Sequence, residues 1–267
     1  MSPQPLPNLP QAVAAGIHTV FSDIDDTLTT DGQLTPPAYV ALDDLRRAGL
    51  RVILITGRPA GWCDHIARMW PVDAVIGENG AFYYWHDHAA HKLKHRHLLG
   101  EAERAANTGK LAAVQETILR EVPGCALASD QFCRLYDLAI DFCEDVPALP
   151  ASAVDRIVAL MEQAGMTAKV SSIHVNGWFG HYDKLSMAHL LMRERYGLEL
   201  AQERERCIFA GDSPNDAPMF AYLPHSVGVA NVLDFAGRLS ALPAYVTPSR
   251  GGAGFSELAQ ALIRARR

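Results

Sequence analysis

The sequence predicts an α/β fold, a mostly parallel sheet core with an inserted α+β domain. Three observations predict it. Short, nearly uninterrupted apolar runs alternate with helical stretches over residues 17–76, the pattern of strands buried on both faces. Longer runs of alternating character fill residues 82–181. The first pattern then returns. The core therefore reads as 15–81 plus 182–267, with the inserted domain at 82–181 and a flexible lead-in at 1–14.

The lead-in carries four prolines between Met1 and Pro10 and no Lys or Arg, so it reads as a loose extended segment rather than a signal peptide. Residues 17–22, rich in β-branched side chains, form the first expected strand and end at a cluster of carboxylates. A helix is expected at 37–48: Pro36-Pro37 opens it, Tyr39, Leu42 and Leu45 keep helical spacing, and Gly49 closes it. The run Arg-Val-Ile-Leu-Ile at 51–55 suits a strand covered on both faces. A helix at 60–69 and a strand at 72–76 follow. In the insert, strands are expected at 81–85, 92–98, 132–142 and 167–175, with helices at 101–121 and 151–164. Their alternation predicts an antiparallel sheet with one wet face. The core resumes with a helix at 184–196 stopped by Gly197, a strand at 206–210, and a short helix from Asn215. Strands at 227–230 and 244–246 and a last helix at 255–266 complete it.

Composition narrows the function classes. The chain has 267 residues, 49% hydrophobic and 20% charged, enough to bury a large core. Its formal charge of −6 argues against nucleic acid as a partner, because phosphate backbones require clustered cations. The basic run 264–267 reads as the favourable end of a helix dipole. Five widely spaced cysteines without a CxxC pair fit reduced thiols and a cytoplasmic location. No stretch approaches the ~20 apolar residues that span a membrane. The histidines at 86, 88, 91, 95 and 97 read as the wet face of a hairpin rather than a metal site.

Four segments carry chemistry. Asp23-Ile24-Asp25-Asp26-Thr27-Leu28 directly follows the first strand, where ligands bind in open α/β sheets. Three carboxylates in four positions repel one another, and a hard divalent cation relieves that repulsion. An ionised Asp beside such a cation can attack phosphorus, and a carboxyl two residues on can act as acid and then base. Gly211-Asp212-Ser213-Pro214-Asn215-Asp216 follows another apolar strand. There Gly211 permits close backbone approach, and Asp212 and Asp216 can complete an oxygen shell. Thr56-Gly57-Arg58 offers a hydroxyl, a backbone N–H and a cation for phosphoryl oxygens. Lys184 sits near a helix start, where a cation opposes the dipole, so nearby anions would explain it. Taken singly, these segments also suit an acidic turn, a helix N-cap, a strand-to-helix turn and a solvated lysine.

Together and in this order, they resemble the haloacid dehalogenase superfamily of phosphohydrolases. Asp23-Ile24-Asp25-Asp26-Thr27 matches its DxDxT segment, Thr56 its strand-ending hydroxyl, Lys184 its lysine, and Asp212 with Asp216 its acidic GDxxxD segment. The insert and the Gly77-Glu78-Asn79-Gly80 stretch are similar to the subfamily IIB proteins. That group holds the Cof-like, sucrose-phosphate and mannosyl-phosphoglycerate phosphatases, with phosphomannomutase as a relative. The family often has Gly where Asp26 stands and GDGxND where this chain has Gly-Asp-Ser-Pro-Asn-Asp.

The resemblance implies a Rossmann-like core with a specificity-setting cap and a Mg²⁺-dependent phosphatase acting on a small phosphate ester, expected to be a sugar phosphate. It implies Asp23 as nucleophile, Asp25 as acid and base, and Thr56 and Lys184 as partners of the phosphoryl group. Asp23, Asp25 (through its backbone carbonyl), Asp212 and Asp216 would hold the metal. Gly57, Arg58, Asn79, Asn215, His174, Asn176 and Trp178 are the expected substrate contacts, with Arg134 and His181 as further polar groups of the cap. Trp178 in particular is expected to stack on a sugar face. A phosphomutase, or a non-catalytic phospholigand-binding protein, is the alternative.

Overall fold

The computed structural model describes residues 2–267. The chain opens with β1 (Gln4–Pro5) and α1 (Gln11–Gly16). It alternates through β2 (Thr19–Ser22), α2 (Pro36–Arg47), β3 (Arg51–Ile55), α3 (Ala60–Met69) and β4 (Ala74–Gly77). The hairpin β5 (Phe82–Asp87) and β6 (Lys92–His97) leads to α4 (Glu101–Glu121), β7 (Ala126–Leu127) and β8 (Asp137–Asp141). Then come α5 (Ala151–Gln163), β9 (Thr167–Val170) and β10 (His174–Trp178). Alternation resumes with α6 (Lys184–Tyr196), α7 (Leu200–Glu203), β11 (Cys207–Gly211) and α8 (Ala217–Tyr222). β12 (Ser226–Gly228), β13 (Tyr245–Val246) and α9 (Gly251–Ala265) complete the chain. No helix of the described residues is long and apolar enough to cross a membrane.

A nine-stranded sheet has the order β1-β13-β12-β11-β2-β3-β4-β5-β6, parallel from β1 to β4. The apolar strand runs follow from its two covered faces. Val20, Val52 and Leu54 point to one side with Leu42 and Leu45 of α2 and Leu258 and Leu262 of α9. Phe21, Ile53 and Ile55 point to the other with Met187 and Leu191 of α6 and Phe220 of α8. Each fully buried side chain of this size stabilises the fold by about 1.5–3 kcal/mol. A second, antiparallel sheet has the order β7-β8-β10-β9. Leu138, Ile140 and Val175 on its inner face pack on Ile118 of α4 and Ile157 and Met161 of α5.

Three expectations need correction. The hairpin β5–β6 joins the large sheet, with β5 antiparallel to β4. Glu78, Asn79 and Gly80 all take positive φ (43°, 54° and 111°), and this tight reversal returns the chain onto β4. Local alternation shows a wet-faced strand but not which sheet it joins. The expected strand at 167–175 is two strands: the Ser171 hydroxyl accepts the Ile173 and His174 N–H groups and turns the chain between them. The lead-in is docked rather than loose. Gln4 and Pro5 pair with Tyr245 and Val246, Leu6 and Leu9 are buried, and the Arg266 guanidinium donates to the Ala14, Ala15 and Ile17 carbonyls. Met1 lies outside the described residues.

Candidate active site

β2 and β11 are adjacent and parallel, so their carboxyl ends bring two acidic segments together. The Asp23 N–H donates to the Ala210 carbonyl (2.9 Å), extending the pairing into the acidic loop. Carboxylate oxygens of Asp23, Asp212 and Asp216 lie within 4.8 Å of one another, and all three residues are buried. Lys184, the first residue of α6 and 1% exposed, donates to Asp23 (2.6 Å) and Asp216 (2.7 Å). Those two anions offset its unfavourable place at a helix N-terminus. The other oxygen of Asp216 accepts the Asp212 and Ser213 N–H groups. A Cβ at Gly211 would meet that oxygen at 2.4 Å, which is why glycine stands there.

Burial, partly opposed by Lys184, pushes the Asp23 carboxyl up to about 8. Burial, then the charges of Asp23 and Asp216, holds Asp212 well above the carboxylate range. A set of buried oxygens this close together, all oxygen donors, fits a hard divalent cation. Asp212 also accepts from the Thr27 hydroxyl (3.1 Å) and the Asn231 amide (3.2 Å). Asp26 stands at φ 54°, a left-handed position that Gly fills most easily and Asp tolerates.

The Asp25 carboxylate lies outside this cluster and accepts from Arg58 Nε (2.9 Å). Arg58 also pairs with Glu144 (2.6 Å) and Asp130 (3.4 Å). Its guanidinium is therefore committed to carboxylates, which corrects the expectation of a free phosphoryl contact. Glu144 accepts from Arg58 and lies 2.9 Å from His174 Nε2. Burial alone would raise the Glu144 carboxyl, but His174 and Arg58 hold it at about 2.

Thr56 Oγ1 accepts the Arg58 N–H (2.9 Å), while the Gly57 carbonyl accepts from Arg134 (2.8 Å). Arg134 is buried on Asp130 and Asp137, and His181 is exposed. Asn176 donates to Asp137 (2.9 Å), and Asn215 to Asn79 (3.2 Å). The Asn79 amide nitrogen is buried without a partner, beside Gly57 and Asn176. A narrow cleft of about 10 Å³ is bounded by Asp23, Asp25, Gly57, His174, Asn176 and Asn215.

Trp178 is not part of it. Trp178 is fully buried, stacked on Tyr182 at 5.3 Å, inside the main core. Alternation puts 174, 176 and 178 on one face of β10, but only 174 and 176 line the cleft; 178 lies past its end and stacks on Tyr182 in the linker to α6. Sequence reasoning missed Glu144, Asp130 and Asn231. The acidic run 141–145 was the available signal for Glu144; its loop is built by the Asp141 carboxylate, which accepts the N–H groups of Cys143, Glu144 and Asp145. Asn231 carries no local pattern.

Residues 20–105 match the haloacid dehalogenase-like hydrolase family. The chain is 28% identical over 252 residues to a phosphoglycolate phosphatase of Pyrobaculum neutrophilum, covering 93% of this chain and 96% of that one. Among solved structures, the trehalose-6-phosphate phosphatase C-terminal domain of C. albicans matches with a TM-score of 0.74 at 13% identity, over 99% of this chain and 98% of that one. The sucrose-phosphatase of Synechocystis sp. matches with a TM-score of 0.60 at 16% identity, over 92% and 97%. The fold is Rossmann-like, and over residues 20–105 the chain is similar to haloacid dehalogenase-like hydrolases. The family matched there is one of hydrolases, and the curated relative is a phosphatase.

Proposed function

We propose that the protein is a Mg²⁺-dependent phosphohydrolase of a small phosphorylated metabolite, of the sugar phosphate class, working through a phospho-aspartate on Asp23. The observation that carries this reading is the buried contact of Asp23 and Asp216 with Lys184, beside Asp212. Asp23, Asp212 and Asp216, with the Asp25 backbone carbonyl, would hold the ion. When bound, Mg²⁺ offsets negative charge on the phosphoryl oxygens, as phosphoryl transfer requires.

An Asp23 carboxylate oxygen attacks phosphorus as the ester P–O bond breaks, and Asp25 delivers its proton to the departing alkoxide. Arg58 holds the Asp25 carboxyl in place for this. Asp25 then takes a proton from water, which attacks the phospho-aspartate and releases phosphate, restoring Asp23. Lys184 balances charge on Asp23 throughout. Thr56, the Gly57 backbone and the unpartnered Asn79 amide orient the phosphoryl oxygens, with Asn215 beside them. Residues of the 82–181 insert, His174 and Asn176 first, face the ester and act as the cap. Five free cysteines support a reducing compartment such as the cytoplasm.

The test is phosphate release from a panel of phosphorylated metabolites with and without Mg²⁺. Asp23→Asn should lower release by about three orders of magnitude. A variant that keeps most of the rate refutes the scheme.

A further inference from the structure

We propose that Glu144 is a charge selector for the leaving group: the cavity beside Asp25 accepts an alcohol that is neutral or cationic and rejects one that bears a carboxylate. This rests on the phosphatase reading above and says which esters the site favours.

The cavity has about 230 Å³ and is lined by Asp25, Asp26, Asp31, Arg58, Glu144 and Ile173, among others. Asp25, Arg58 and Ile173 also line the narrow cleft over Asp23. An ester with its phosphorus at Asp23 and its bridging oxygen at Asp25 therefore sends its alcohol into this cavity. The volume lies below the roughly 300–1,000 Å³ of drug-sized sites and suits a small alcohol.

Four carboxylates face this space against one guanidinium. With Asp25 carrying its proton as the acid, three still face one. That guanidinium is taken up by Asp25, Asp130 and Glu144. Arg250, on the adjoining groove that shares Asp26 and Asp31, is paired with Asp234. His174 is engaged by Glu144. A leaving-group carboxylate would find no uncommitted cation here and would sit among like charges in a partly desolvated space. Hydroxyl or ammonium groups would find acceptors. Glu144 decides the balance because it both occupies Arg58 and adds negative charge, from a loop that Asp141 fixes.

Three nearly isosteric esters test this: 2-phosphoglycolate, 2-hydroxyethyl phosphate and phosphoethanolamine, whose alcohols end in a negative, a neutral and a positive group. The glycolate ester should show a kcat/KM at least roughly tenfold below the hydroxyethyl ester, and the ethanolamine ester should equal or exceed it. Glu144→Gln, which leaves Arg58 with one anion fewer, should raise the glycolate-to-hydroxyethyl ratio about tenfold. Asp31→Asn should shift it the same way by less; Asp31 is exposed at φ 50°, a conformation Asn adopts readily. A glycolate ester that is the best of the three, or a ratio unmoved in both variants, overturns the proposal. Mg²⁺-dependent hydrolysis of p-nitrophenyl phosphate, lost in Asp23→Asn, shows that the phosphatase reading survives such a result. Its absence, together with inactivity on all three esters, overturns both.

Discussion

Replacing Lys184 with methionine isolates the electrostatics of the site, because the substitution roughly conserves volume and removes only the charged donor. The Lys184 ammonium is 1% exposed and sits 2.6 Å from Asp23 and 2.7 Å from Asp216. Its loss leaves two buried carboxylates facing each other, and removing one member of a buried ion pair costs about 3–5 kcal/mol. At about 2–4 °C per kcal/mol for a chain of this size, the Tm in EDTA should fall by roughly 10 °C. Adding Mg²⁺ should recover part of the loss, since a divalent cation compensates the same carboxylates. The partner variant Asp216→Asn should relieve the repulsion, so the double variant should be more stable than the sum of the two losses, with a coupling of about 0.5–3 kcal/mol. Thermal unfolding by circular dichroism reads both quantities. A fall of less than about 2 °C, or strict additivity, would refute the argument that Lys184 balances these two anions.

Trp178→Ala should lower stability in urea by about 3–5 kcal/mol, as for a large buried aromatic, while KM for any hydrolysed ester moves less than about twofold. A raised KM with unchanged stability would return Trp178 to the substrate. His97 packs between Phe82, Tyr84 and Tyr136, and burial, then Arg104, depresses its imidazole to about 4. Its folded-state value lies below the unfolded one near 6.5, so its contribution is present above that pH and lost as pH falls toward 4. Tm measured over that window should decline less in His97→Phe than in the unmodified protein.

The sequence by itself determined the alternating core and the acidic strand ends. A strand buried on both faces must be apolar throughout, and 51–55 shows it, so β3 and α3 fall where periodicity places them. Asp23, Asp212, Asp216 and Lys184 were legible for a related reason. Carboxylates crowded at a strand end, or a cation at a helix start, are unfavourable locally and so announce a partner elsewhere.

What only the tertiary structure decided were choices between partners of equal local quality. Alternation marks β5 and β6 as half-covered strands, but the left-handed turn at 78–80 and the burial of Phe82 to Tyr84 assign them to the large sheet. A tryptophan in β10 suits a ligand face or a core equally well; Tyr182 and the end of the cleft settle it. Arg58 carries the right charge for a phosphoryl group, yet Asp25, Asp130 and Glu144 converge on it from distant parts of the chain. Pairings across so many residues leave no local trace, because each partner is an ordinary surface residue until folding removes the water between them.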